Sequence, residues 1–374
     1  MWAVLGWVAF AVLAAGCGLV TLVVITDETG VVGLVTGSVL ALVPVVPVVG
    51  IYLWLDRYEA EPASLLIFTF GWGAAVATFG ALVINTASSQ AIKASGGDPT
   101  TSAVLVAPFV EEGFKGLAIV LVVLLRRREF DGIVDGLVYA GMAGIGFAFV
   151  ENVLYLGRTL AEVGGAGTAF VFVLRCIVSP FAHPLFTSAT GVGLGLAVRS
   201  RRTSVRIFAP LLGYLLAVLL HGAWNLSAST GLSGFVSVYV VVQLPIFIGF
   251  MTLALVARRR EGRLISRHLA VYASTGWLAG GEVSMLASLA ARRDARRWAA
   301  RTGGPDARRA MRDFQEMASE LAFLRERMVH GSASDDARRQ EFAMLAAMAA
   351  LRGRFLPRPP APGVGGAPTR PPGY

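Results

Sequence analysis

Four short clusters of polar residues supply the groups that amide hydrolysis requires. The first is Glu111, Glu112 and Lys115. The second is Glu151 and Asn152, with Phe147 one turn earlier. The third is His183 and Thr187, and the fourth is His221, Trp224 and Asn225. Cutting a peptide bond takes an activated water, a proton donor for the leaving amine and donors for the oxyanion. A glutamate beside a second carboxylate in a low-dielectric site suits a general base, and a histidine can share the proton traffic. A His–Asn pair one helical turn apart offers oxyanion donors. The same glutamates and histidines could instead ligate zinc with one position left open for water. Each cluster also admits a plainer role. Glu111, Glu112 and Lys115 could be an ion-pair cluster tying helices together, the histidines could be hydrogen-bonded packing groups, and Glu151 with Asn152 could be an interfacial pair.

Spacing groups these residues on faces. Glu111 and Lys115, Phe147 and Glu151, His183 and Thr187, and His221 and Asn225 are each four apart, so each pair shares one helix face. Lys115 can pair with either glutamate, which lowers the cost of burying charge. Lys93 is the only other lysine in an arginine-rich chain, so a compact ammonium at position 115 is not background composition. Arg175 is expected to snorkel to the surface. Trp224 fits either an interfacial anchor or a site residue. Gly136, Ala140 and Gly144 form a small-residue stripe suited to close helix packing.

The elements that must position these groups are membrane helices. The 374-residue chain is 55% hydrophobic, with a mean hydropathy of +0.65, and the excess lies before about position 257. Apolar runs of about twenty residues rise about 1.5 Å per residue and cross a hydrocarbon core of about 30 Å. Eight such segments are expected, at roughly 2–25, 31–54, 63–85, 102–125, 132–156, 169–198, 207–226 and 233–257. The sixth contains Pro180 and Pro184 and should be kinked or broken. The predicted fold is all-α: a polytopic membrane bundle of about eight transmembrane helices with a C-terminal cytoplasmic helical tail.

Charge divides the chain in the same place. Residues 1–257 carry 12 basic and 13 acidic residues, and residues 258–374 carry 21 and 11. The strong basicity belongs to the tail, where anionic lipid is a simpler partner than nucleic acid, which is not expected. The expected organisation is a transmembrane domain carrying the polar clusters over 1–257, a cytoplasmic helical tail over 258–356 and a disordered Pro/Gly-rich end over 357–374. In the tail, Met311, Phe314, Met317, Leu321, Leu324 and Met328 form one apolar stripe, and Phe342, Leu345, Met348 and Leu351 a second. Cys17 and Cys176 lie in apolar runs and suggest neither a disulfide framework nor a metal knuckle.

Arginines follow segments four, six and eight: Arg126 to Arg128, Arg199 to Arg206, and Arg258 to Arg260. The positive-inside rule then puts both termini in the cytoplasm of a multi-pass membrane protein. Counted from the outer ends, Glu111, Glu151, His221 and His183 lie roughly 8–20 Å deep at about 1.5 Å per residue. One outward-opening cavity could hold all four. Abundant Ala, Gly and Val with arginine over lysine fits a GC-rich bacterial genome.

These clusters resemble the motifs of the PrsW family of intramembrane proteases, within the CAAX-protease and bacteriocin-processing clan. They read Glu111-Glu112-x-x-Lys115, Phe147-x-x-x-Glu151-Asn152, His183-x-x-x-Thr187-x-x-x-Gly191 and His221-x-x-Trp224-Asn225, in the family's order and spacing. The resemblance spans roughly residues 100–226 and leaves out the tail. It implies hydrolysis of a membrane-anchored protein substrate in the bacterial cell membrane. In the family's best-known role that substrate is an anti-sigma factor, cut on its outer side as the first step of regulated intramembrane proteolysis. It also implies water activation by Glu111 and Glu112, catalysis or metal ligation by His183 and His221, and further roles for Glu151 and Asn225. If Zn2+ is bound, His183, His221 and Glu151 are the implied ligands. The family is often called a metalloprotease, yet CAAX relatives are also described as glutamate-dependent and carry a histidine where Glu151 stands, so both chemistries stay open.

Other readings compete. The chain lacks the His-Glu-x-x-His of site-two zinc proteases, and Asp135 lacks a presenilin context. Buried Glu, Lys and His could form the proton relay of a transporter, but segments one to three hold no second copy of the polar set. A catalytically idle scaffold would have no need to bury it.

Overall fold

A computed structural model describes residues 2–356 except Pro99, Arg128, Ser332 and Ser334, with side chains from Leu5 onward. The expected disorder of 357–374 lies outside the described residues. Those residues form α-helices with short π-helical turns and no strand. Two compact units are present. The first comprises the chain up to Asp56 together with Glu61–Ala254, and the second comprises Arg57–Ala60 together with the chain from Leu255.

In the first unit, α1 (Trp2–Leu55) is two arms joined at Gly30, whose φ of 67° and ψ of 169° interrupt the helix. That conformation is open to glycine and strained for other residues. Ile25 and Ala41 belong to one apolar cluster with Val153, although a straight helix would separate them by about 24 Å. The chain therefore folds back at Gly30, and expected segments one and two are its arms. Next come α2 (Ala63–Gly71), α3 (Thr78–Ala94), α4 (Ala107–Leu125) and α5 (Ile133–Val163). They are followed by α6 (Gly165–Phe172), α7 (Ala182–Arg199), α8 (Thr203–Ser229), α9 (Gly231–Val238) and α10 (Leu244–Ser274). Among the described residues, six runs are long and apolar enough to cross a bilayer. One run counts both arms of α1, and α4 falls outside the count because Glu111, Glu112 and Lys115 interrupt its apolar character.

α5 is the buried axis of this unit and packs against α1, α2, α4 and α7. Its small-residue stripe sets the closeness of approach. A Cβ added at Gly136 would lie 2.1 Å from the Gly191 carbonyl oxygen of α7, and one at Gly144 2.7 Å from Pro184. The outer surface is apolar instead: Val32 and Val46 are each 73% exposed, as a bilayer solvent allows. The proline-bearing sixth segment is broken as expected. α6 passes into a π-helical turn at Val173–Val178, the helix stops across residues 179–181, and α7 begins at Ala182. Between α1 and α2, Asp56 Oδ2 accepts the Glu61 backbone N–H at 2.8 Å. Asp56 Oδ1 is buried with no hydrogen-bond partner, and Glu61 accepts from the Tyr139 hydroxyl.

α10 continues through residue 257 into the second unit, which adds α11 (Gly280–Leu286), α12 (Leu289–Val329) and α13 (Ala337–Phe355). The two tail stripes pack there. Met311, Phe314, Leu321, Leu345 and Met348 share a core with Leu269, Tyr272 and Leu286, with Met317 and Leu351 at its margin. α12 breaks at Gly304 (φ 74°), just before Pro305.

Candidate active site

The polar clusters meet in the first unit. α4 contributes Glu111, Glu112 and Lys115 from its second and third turns, α5 contributes Glu151, the first turn of α7 His183, and α8 His221. Glu112 and Lys115 are fully buried, so the sequence places an ion pair where desolvation is most expensive and geometry must repay it. Glu112 Oε1 accepts Lys115 Nζ at 2.6 Å and His221 Nδ1 at 2.9 Å, while Oε2 accepts the Thr187 hydroxyl at 2.9 Å. Lys115 Nζ also reaches His183 Nδ1 at 3.2 Å and lies 4.4 Å from the centroid of the Phe147 ring. With Nδ1 accepting, His183 Nε2 donates to Glu151 Oε2 at 2.7 Å.

Glu111 is held differently. Its Oε1 accepts Asn85 Nδ2 at 3.1 Å. Its Oε2 is buried without a hydrogen-bond partner, 3.6 Å from His221 Nε2 and 4.0 Å from Lys115 Nζ. With the Nδ1–H of His221 on Glu112, a neutral ring would turn its Nε2 lone pair toward the Glu111 carboxylate oxygen. Two acceptors so placed need a proton, a water or a cation between them. Glu111, His183 and His221 can each offer one ligand atom, all within 4.8 Å of one another. The Nδ1–H of His221 on Glu112 is the outer-shell arrangement that orients a ligating histidine. His183 fits less simply, since each nitrogen already has a partner and one would have to be released.

A family described as PrsW family intramembrane metalloprotease matches residues 61–250, half of the chain. The chain belongs to that family. Protease PrsW of Geobacillus kaustophilus is 32% identical over 178 residues, 46% of this chain and 72% of that protein. The Bacillus subtilis protein of the same name is 28% identical over 211 residues, 56% of this chain and 89% of its own length. The Clostridioides difficile protein is 28% identical over 193 residues, 50% and 77% respectively. No solved structure matches. As a PrsW-family member this chain is an intramembrane endopeptidase, a membrane-embedded hydrolase of peptide bonds.

Not every expected residue joins the cluster. Glu151 meets His183 but is also held by Arg175 Nη2 at 2.5 Å, and it is not part of the grouped ligand set, where Glu111 stands instead. Asn225 Nδ2 donates to the Ala103 carbonyl at 2.8 Å and ties α8 to the turn before α4. Trp224 is buried among Phe186, Phe235 and Tyr239. Arg175 does not snorkel. It turns onto Glu151 and Asn152, with Nε 2.7 Å from Asn152 Oδ1, and lies 4.2 Å from the Tyr155 ring centroid. Sequence reasoning missed Asn85 and the hold of Thr187 on Glu112. An amide at the end of an apolar run was the only signal for Asn85.

Proposed function

We propose that Glu111 activates the attacking water and that Glu112 is a positioning residue. The carrying observation is the contrast between them. Glu112 has three donors at 2.9 Å or less, whereas Glu111 keeps a buried oxygen with none, 3.6 Å from His221 Nε2. On this reading Glu111 Oε2 takes the proton of a water lying between it and His221 Nε2. Lys115 and His183 supply protons toward the leaving amine and the developing oxyanion. Arg175, Glu151 and Asn152 hold the His183 ring. If a divalent cation such as Zn2+ is bound, Glu111, His221 and one nitrogen of His183 hold it, and it supplies Lewis acidity and a more acidic water.

The substrate we propose is a membrane-anchored protein of single span, cut toward its outer side, an anti-sigma factor being the case the family suggests. The arginine-rich ends of α4 and α7 support cytoplasmic termini and a site nearer the outer face. The test is cleavage of a panel of single-span substrates by the full chain in liposomes, with bound metal assayed on the same samples. Wild type should cut, while Glu111→Gln and His221→Ala should stay folded and inert. Cutting that survives both substitutions would overturn the assignment. Stoichiometric metal that is lost in both variants distinguishes ligation from glutamate chemistry alone.

A further inference from the structure

The second unit gathers positive charge at a place fixed by the covalent chain. Residues 57–60 lie between two spans, Leu5–Leu55 and Ala63–Ala94, yet they fold with the second unit. Chain continuity alone holds Arg57 two residues from the end of a span, at most about 7 Å of extended chain. Its neighbour Tyr58 is gripped within the second unit. The hydroxyl donates to the Ala287 carbonyl at 2.9 Å, and the Tyr58 carbonyl accepts Arg292 Nη1 at 3.4 Å. Arg296 follows Arg292 by one turn of α12. α12 turns back at Gly304, bringing Ser319 Oγ to 2.7 Å from Arg292 Nη2 and Gln315 Nε2 to 3.1 Å from the Arg292 carbonyl. The returning arm thereby brings Arg308 and Arg312, one turn apart, into electrostatic reach of Arg296, as Arg57 already is.

Arg57, Arg308 and Arg312, from two other stretches of chain, each act on Arg296 as a like charge. Burial, and then that repulsion, hold Arg296 below the usual arginine range. Compensation by the acidic groups recorded beside Arg296 and Arg312 is thin. Glu316 lies near Arg296, but the pairs of Arg312 with Asp313 and Glu316 are 3.7 and 3.8 Å long and more than two-fifths exposed, a class worth little. A surface of this kind is completed by an anion, and planar guanidinium groups match phosphate oxygens in pairs. Its distance from a span end selects which phosphate. We propose that Arg57, Arg296, Arg308 and Arg312 form a binding site for the phosphate headgroup of an anionic phospholipid.

The test is native mass spectrometry of the full chain in detergent, titrated with phosphatidylglycerol or with phosphatidylcholine. Wild type should retain phosphatidylglycerol preferentially. The triple variant Arg296→Gln, Arg308→Gln, Arg312→Gln should bind it more weakly by on the order of 100-fold, at about fivefold per arginine near a membrane surface. A control with the same charge change on exposed α13 positions (Arg338→Gln, Arg339→Gln, Arg354→Gln) should bind as wild type does. The proposal is overturned if the triple variant binds unchanged or if the control weakens equally. Displacement of the lipid by inorganic phosphate at matching concentration would overturn it too, since that marks a free-anion site.

Discussion

At the scale of single residues, the two adjacent glutamates should part company on substitution. Glu112→Gln leaves the fully buried Lys115 without its 2.6 Å partner, and breaking a buried pair costs about 3–5 kcal/mol. Activity and thermal midpoint should therefore fall together. Glu111→Gln removes only a weakly held carboxylate, so proteolysis should drop by about 100-fold or more, as for loss of a general base, while the midpoint changes little. Parallel melting curves and cleavage rates decide the point; equal destabilisation by the two would contradict the division of labour. The presence of the site was legible because charged residues in apolar runs are conspicuous. The proposed division of labour was not, because it rests on Thr187 and His221 arriving from other helices to saturate one carboxylate. Arg175 was misread for a related reason: snorkelling is the default for a lone arginine near a helix end, and only the fold brings Glu151 and Asn152 within its reach.

At the scale of elements, the site depends on how closely α5 and α7 approach, since that contact presents His183 to Glu151. A methyl at Gly191 would lie 2.0 Å from the Gly136 carbonyl oxygen, against an ordinary contact of 3.4 Å or more. Gly191→Ala must therefore push the helices apart by about 1 Å, a displacement worth about 100-fold in rate and roughly 1–3 kcal/mol in stability. Gly50→Ala is the control: it meets nothing within 4 Å and should leave both activity and stability intact or slightly raised. Loss of activity in the control, or none at Gly191, would show that close packing is not what the glycines provide. The helical character, the small-residue stripe and the break near Pro180 were all readable from periodicity and residue type. The two arms of α1 were readable as well, as segments 2–25 and 31–54, because Asp27, Glu28 and Gly30 interrupt the apolar run.

At the scale of the whole molecule, acidity should matter away from the catalytic residues. Burial above all, opposed by a backbone hydrogen bond and reinforced by Asp135, raises the Asp56 carboxyl to about 8, whereas in an unfolded chain it ionises near 3.9. Glu61 is pushed up to about 11, by burial first and then by Asp135. A group whose folded value is raised contributes its full stability below the unfolded value and loses it as pH climbs toward the folded one. The thermal midpoint should accordingly fall between pH 5 and pH 8, and Asp56→Asn should flatten that slope and raise the midpoint at pH 8. Glu61 keeps its own share of the slope in the variant, so a slope left unreduced would place the titration elsewhere. Nothing in the charge count forecast this, since Asp56 looks like an ordinary loop residue until α5 covers it.

The same short turn makes the polypeptide harder to dissect than its linear order suggests. A stop codon after Ala254 would amputate Ala287 and Arg292, the holders of Tyr58, and leave residues 57–60 as an orphaned fragment of the missing piece. A truncated enzyme that loses activity would then be reporting an injured connector, not the removal of a regulator. A clean excision has to rewrite those four residues as a self-sufficient turn at the same time.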